Sequence, residues 1–178
     1  MIDSIFLNGT VGVGKSTVAD TMSRIEAENR LPHAVIDLDH IHRAWPAPKD
    51  DRFSHELELA NLQAIAANYR AAGVRHFILA GVIEVASEVP RYEAALGSRG
   101  LITCRLDADA DVVEERLRRR HDSLSDELVW HLDRASELAA ILREAALDDY
   151  VVDTSVQSPR QVAESLLRVA GWISSDLI

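Results

Sequence analysis

Gly9-Thr10-Val11-Gly12-Val13-Gly14-Lys15-Ser16 places a glycine, four residues and then Gly-Lys-Ser in succession. Before it, Ser4 to Asn8 carries Ile5, Phe6 and Leu7 in a row, the pattern of a strand buried on both faces. After it, Lys15 to about Glu28 repeats Val18, Met22 and Ile25 at helical spacing. A glycine turn between a buried strand and a helix is the setting that the GxxxxGKS/T phosphate loop needs. Glycines let backbone N–H groups turn toward phosphates, and the helix N-terminus adds positive potential. The expected nucleotide-binding set is therefore Gly9, Thr10, Val11, Gly12, Val13, Gly14, Lys15, Ser16 and Thr17. Lys15 is expected to reach the β- and γ-phosphates of ATP, and Ser16 to ligate Mg²⁺.

Strands and helices alternate outward from this loop. Further short apolar strands are expected at 34–37, 77–79, 101–106 and 150–152. Helical periodicity covers about 54–71, 109–121 and about 159–173, and a long apolar stripe runs from Leu128 to Ala146 behind a Ser125 cap. Such alternation predicts an α/β fold with a parallel sheet covered on both faces. The 178 residues fit one domain, 1–178, and 47% hydrophobic content supplies a core. Pro46-Ala47-Pro48-Lys49-Asp50-Asp51 is the most loop-like stretch.

Composition narrows the function classes. Nineteen basic residues against 29 acidic give a net charge of −10, which argues against a nucleic-acid coat. No apolar run is long enough for a transmembrane helix, and Met1-Ile2-Asp3-Ser4 has no basic leader. Cys104 is the only cysteine, so no internal disulfide forms and a cytoplasmic location is expected. A buried, inert thiol is the expectation for it.

On Gly9 to Thr17, on Asp37-Leu38-Asp39, on the arginine-rich segment from Arg116 and on Asp153-Thr154-Ser155, the chain resembles the P-loop nucleotide and small-molecule kinases. The branches it looks most like are the adenylylsulfate kinases, the gluconate- and shikimate-kinase-like enzymes and the chloramphenicol-phosphotransferase-like enzymes. The resemblance implies a P-loop NTPase fold: a five-stranded parallel sheet of order 2-3-1-4-5, helices on both faces and a helical lid. It implies transfer of the γ-phosphate of ATP, with Mg²⁺, to a hydroxyl or phosphate of a small acceptor. One departure concerns the adenylylsulfate branch, which carries an arginine three residues after its second aspartate. Here that position is His42, with Arg43 beside it.

Two carboxylates follow the second strand. Residues two apart share a side while the chain stays extended, so Asp37 and Asp39 are expected to point into one cleft. By the resemblance, Asp37 faces the acceptor hydroxyl as proton acceptor or orienting group, and Asp39 binds substrate or metal water. The plain alternative is a solvated pair capping the next turn. Further acceptor-side candidates are His42, Trp45, Gly81, Glu84 and Arg91; the last is read as lying on a helix or a loop. Gly81 at a strand's carboxyl end gives a ligand close approach to the backbone.

The lid is expected around 116–134. Arg116 and Arg120 lie one helical turn apart and share a face, while Arg118 points elsewhere. Arg120 and Arg134 are the candidates for stabilising charge on the transferred phosphoryl group, and Arg116 for holding the nucleotide. Ordinary helix-end charge and links to Glu114, Glu115 or Asp122 are the alternative. Ser155, with Thr154 and Gln157, is the candidate adenine edge. The leading reading is a small-molecule or nucleotide kinase, as a monomer or homodimer, with no membrane and no nucleic-acid partner. An antibiotic-modifying phosphotransferase and an ATP-binding or ATP-hydrolysing switch are the competitors.

Overall fold

Strand β1, Ser4–Asn8, is buried along all five residues. Its side chains alternate between two cores. Ile5 and Leu7 join one hydrophobic cluster and Phe6 joins the other. A strand with both faces apolar needs helices on both sides, and the chain supplies them. The computed structural model describes residues 1–46, 49, 51, 54–121 and 125–174. Ala47, Pro48 and Asp50 of the loop-like stretch and the Asp122-Ser123-Leu124 turn of the expected lid lie outside the described residues.

After β1 come α1 (Lys15–Glu28), β2 (His33–Asp37), α2 (His55–Ala71), β3 (His76–Ala80), α3 (Val89–Leu96), β4 (Leu101–Asp107), α4 (Ala110–Arg120), α5 (Asp126–Ala145), β5 (Tyr150–Asp153) and α6 (Pro159–Val169). The sheet order is β2-β3-β1-β4-β5, and every pairing is parallel. This is the order that the resemblance implied. The register sets Leu7 opposite Ala80 and Cys104, so β3 and β1 end within a residue of one another, and β4 runs two residues further to Asp107. All five carboxyl ends therefore open onto one edge.

One face of the sheet packs Ile5, Ile78 and Cys104 against α1, α4 and α6 through Met22, Leu117 and Leu166. The other packs Phe6, Phe77 and Leu79 against α2 and α3 through Leu62 and Tyr92. Phe6 and Tyr92 meet edge to face at 5.1 Å between ring centres. Cys104 is fully buried, and burial pushes its thiol up to about 12.

Two boundaries differ from expectation. Residues 89–96, open between helix and loop in the sequence, form α3 with Pro90 in its first turn. The last helix stops at Val169, and Gly171 turns the chain back at φ +72°. Trp172 is therefore a packing residue beyond the helix. Its Nε1–H donates to the Ile2 carbonyl at 3.1 Å, and its ring stacks on His76 at 4.1 Å.

Gly9 sits where the phosphate loop passes β4. Its φ is +142°, and a Cβ there would lie 2.6 Å from the Leu106 carbonyl oxygen and 2.9 Å from Val13. Gly14 also has a positive φ, +105°, but a Cβ there meets nothing within 4 Å. Gly9→Ala is expected to cost about 2–4 kcal/mol, because backbone must move. Gly14→Ala is expected to cost only about 1 kcal/mol of dihedral strain. Urea unfolding of both variants checks the order; equal losses would remove the steric explanation.

Candidate active site

The loop between β1 and α1 is built from backbone contacts. The Val13 N–H donates to the Thr10 carbonyl at 3.4 Å and the Val18 N–H to the Gly14 carbonyl at 2.9 Å. Lys15 folds back over the loop. Its Nζ donates to the carbonyls of Gly9, at 2.8 Å, and Thr10, at 3.1 Å. Helix α1 begins at Gly14 with no side-chain cap. Helix α5 contrasts with it, because Ser125 accepts from the Leu128 N–H, and so does α6, which has a Ser158–Gln161 capping box. The first-turn amides of α1 thus have no side-chain acceptor of their own, which suits them to an anion.

The loop floors a cleft of about 880 Å³. Thr10 to Thr17, Asp37, Asp39, His42, Gly81, Glu84, Arg116, Arg120 and Arg134 all line it. Gly9 lies beneath the loop, against Leu106. Three sequence candidates are placed elsewhere. Trp45 is 94% exposed and off the cleft. Arg91 turns outward, donating to both oxygens of Glu56 at 2.7 and 2.8 Å and to Glu88 at 3.0 Å. Ser155 accepts from the Asp109 N–H at 2.8 Å and so ties α4's start to the loop after β5. Its neighbours Thr154 and Gln157 do line the cleft.

The two aspartates reach the cleft by a route other than the extended chain expected. Strand β2 stops at Asp37 and a 3-10 turn, Leu38–His40, follows at once. Asp37 caps that turn by accepting from the Asp39 N–H at 3.2 Å. Its other oxygen accepts from the Ser16 hydroxyl at 2.8 Å. Leu38 goes into the core instead. A Cβ on Gly81 would stand 2.5 Å from the Leu38 side chain and 3.1 Å from the Phe6 ring. Gly81 is thus small for packing's sake as well as for approach to the cleft.

The arginines divide by role. Arg116 donates to the Val13 carbonyl at 3.1 Å and to the Thr154 hydroxyl and carbonyl at 3.0 and 2.7 Å. It braces the phosphate loop against the loop after β5. Arg118 pairs outward with Glu114 on its own helix. Arg120 lines the cleft and makes no hydrogen bond or ion pair among the described residues. Arg134 bridges Glu84 across the cleft and Glu137 on its own helix. Burial works against its charge, and these carboxylates outweigh that and raise its pKa. Trp130 and His131, edge to face at 5.1 Å, line the same cleft.

Sequence reasoning missed two groups. Asn8 is fully buried at the end of β1. Its side chain accepts from the N–H groups of Gly9 and Ile83 and donates to the Ile83 carbonyl and to Asp148. It fastens the phosphate loop to the loop after β3. The second group is an acid–imidazole–phenol chain, built around the sequence candidate His42, at the end of the cleft beside α2 and α3. Glu58 accepts from His42, at 2.6 Å, and from the Tyr92 hydroxyl, at 2.5 Å. His55 meets Glu88 at 2.5 Å. Burial, reinforced by Glu58, pushes the Tyr92 phenol up, so it stays a donor. Burial works to raise Glu88, but the His55 and Arg91 contacts prevail and hold it below the ordinary carboxylate value. Glu58 sits inside an otherwise helical stripe, and no local pattern marks it as facing a cavity.

No known family model matches the chain, and no curated protein sequence does. Solved structures do. The tunicamycin resistance protein of Deinococcus radiodurans superposes with a TM-score of 0.64 at 24% identity, covering 96% of each chain. The APS kinase of Mycobacterium tuberculosis, solved with AMPPNP and APS, gives 0.64 at 16% identity, over 95% of this chain and 97% of that one. Shikimate kinase from Acinetobacter baumannii, solved with shikimate, gives 0.60 at 16% identity, over 100% and 97%. At these identities the likeness concerns architecture. Together with the strand order and the loop geometry, it establishes that the chain has the fold of the P-loop kinases.

Proposed function

We propose that the protein transfers the γ-phosphoryl group of ATP to a hydroxyl of a small acceptor, with Mg²⁺. The observation that carries this reading is the contact of Ser16 with Asp37 at the uncapped start of α1. It puts an anion-binding helix end, a hydroxyl and a carboxylate side by side at the carboxyl edge of a parallel sheet. Hydroxyl and carboxylate oxygens are the hard donors that Mg²⁺ takes, so Ser16 and Asp37 fit that ion. Ser16 and Asp37 would hold the ion, which would supply neutralisation of the charge that develops on the phosphates.

The residues then divide the work. Lys15 and the backbone of Gly12 to Thr17 hold the phosphates. Arg120 and Arg134 face the transferred group from the lid formed by α4 and α5. Asp37, held in place by the Asp39 amide, orients the acceptor hydroxyl and receives its proton. A new acceptor O–P bond forms as the bond from the γ-phosphorus to the bridging oxygen breaks, and ADP leaves. The transition state is loose, so orientation by Asp37 matters more than the strength of the base. Arg116 serves by fixing Val13 in the loop.

Transfer from γ-labelled ATP should appear with an accepted hydroxyl compound. It should fall about 10²–10⁴-fold in both Lys15→Ala and Asp37→Asn. ATP binding without transfer to any acceptor, in a panel of nucleosides, sugars and antibiotics and then in a metabolite extract, would favour the nucleotide-binding switch.

Lys15 carries a second prediction. Burial pulls its ammonium down to about 8, and Arg120 adds to this against Asp39 and Asp37. The ordinary lysine value is about 10.4. Below pH 8 the folded protein therefore bears the cost of a buried charge that the unfolded chain does not. That cost disappears as pH rises from 8 toward 10.5. Lys15→Met should stabilise the nucleotide-free protein by about 2 kcal/mol at pH 7, with the loss of two hydrogen bonds partly offset. The gain should shrink steadily above pH 8. Thermal unfolding of both proteins across pH 7–10 checks this, and a gain that stays constant with pH would contradict it.

A further inference from the structure

The cleft is electrically divided. Lys15, Arg116, Arg119 and Arg120 line the end where the phosphate loop and α4 meet. The opposite end, between β2, β3 and the helices α2 and α3, is lined by Asp37, Asp39, Glu58, Glu84 and Glu88, and by no lysine or arginine among the described residues. Arg134 stands on the border, held by Glu84. Arg91, which the sequence offered as an acceptor ligand, is turned out onto Glu56 and Glu88. The two imidazoles of this end are already engaged, His42 by Glu58 and His55 by Glu88. Of these carboxylates, Asp37 and Asp39 stand in the field of Lys15, Glu84 holds Arg134, Glu88 holds His55 and Arg91, and Glu58 meets, among the described residues, only the two imidazoles and the Tyr92 hydroxyl.

An acceptor bearing a carboxylate, phosphate or sulfate needs a cationic donor with bonding capacity left. This wall offers no lysine or arginine of its own among the described residues. It does offer acceptor oxygens. One oxygen of Glu84 binds Arg134, and one of Glu88 takes both His55 and Arg91. The second oxygen of each makes no hydrogen bond among the described residues.

Resting on the phosphotransferase reading, we infer that the acceptor is a hydroxyl compound without an acidic group, an amine-bearing polyol such as an amino sugar or aminocyclitol being its best complement. Hydroxyls would meet Asp37 and Asp39, and an ammonium would meet Glu84 and Glu88.

The test uses the full chain with Mg²⁺, γ-labelled ATP and a bacterial small-molecule extract split by ion exchange into cationic, neutral and anionic pools. Label is expected in the cationic or neutral pool. With that pool as acceptor, Glu88→Gln should raise the acceptor KM about tenfold and the ATP KM less than twofold. Label confined to the anionic pool would overturn the inference and leave the phosphotransferase reading standing. So would a Glu88→Gln effect on ATP with none on the acceptor. No label in any pool would overturn the phosphotransferase reading, and the inference with it.

Discussion

The capture of the Lys15 ammonium by the carbonyls of Gly9 and Thr10 is the contact on which the cleft depends. It places a cation inside a loop whose other walls are backbone. The loop keeps its shape because its outer supports are tied to different parts of the sheet. Asn8 ties it to the loop after β3, Arg116 and Thr154 tie Val13 to the loop after β5, and the Thr10 hydroxyl donates to the Ala135 carbonyl of α5 at 2.9 Å. The parallel sheet makes this possible. Because every strand runs the same way, three connecting loops arrive at one edge, within hydrogen-bond reach of the one after β1.

That same edge explains why charges of both signs meet so closely. Carboxylates come from the ends of β2 and β3 and from α2, and cations come from the start of α1 and the last turns of α4. The boundary between them runs along Ser16–Asp37 and Arg134–Glu84. Both contacts join one residue from each territory. On the proposed reading a phosphoryl group crosses this boundary, and the groups that hold it closed are the ones that would meet the metal, the phosphate and the acceptor.

Much of this was legible in the sequence, and the reason is periodicity. The successive apolar residues of β1 and the i, i+3, i+4 spacing of α1 fix both elements to the residue, because burial on two faces or on one stripe leaves a repeating mark. The phosphate loop is legible because its chemistry needs glycine and lysine at fixed spacing. The acceptor end is less so. Asp37 and Asp39 reach the cleft through a 3-10 turn that no alternation predicts, and Arg91 is drawn away by Glu56, thirty-five positions distant. Glu58, Tyr92 and Asn8 act through partners far along the chain, and a polar residue in a helix or strand gives no local sign of which distant group it will meet. Helix α3 was obscured because eight residues with a proline in the first turn scarcely complete two turns of pattern.

The arginines show why proximity to a motif is a weak guide to role. Arg116 and Arg120 share a helix face, yet Arg116 is saturated by backbone and hydroxyl partners while Arg120 has none among the described residues. A guanidinium with three fixed partners is a brace: moving it would release Val13 and Thr154 together. Arg120 instead stands near enough to Lys15 to oppose its ammonium, a smaller effect than burial and than the opposing support of Asp39 and Asp37. Two like charges facing one cleft raise the energy of the protein by itself, and a polyanion bound between them reverses the sign of that interaction. On the proposed reading that repulsion lies where phosphates would relieve it, so charge stabilisation would fall to Arg120, while the contacts of Arg116 make it part of the loop's architecture.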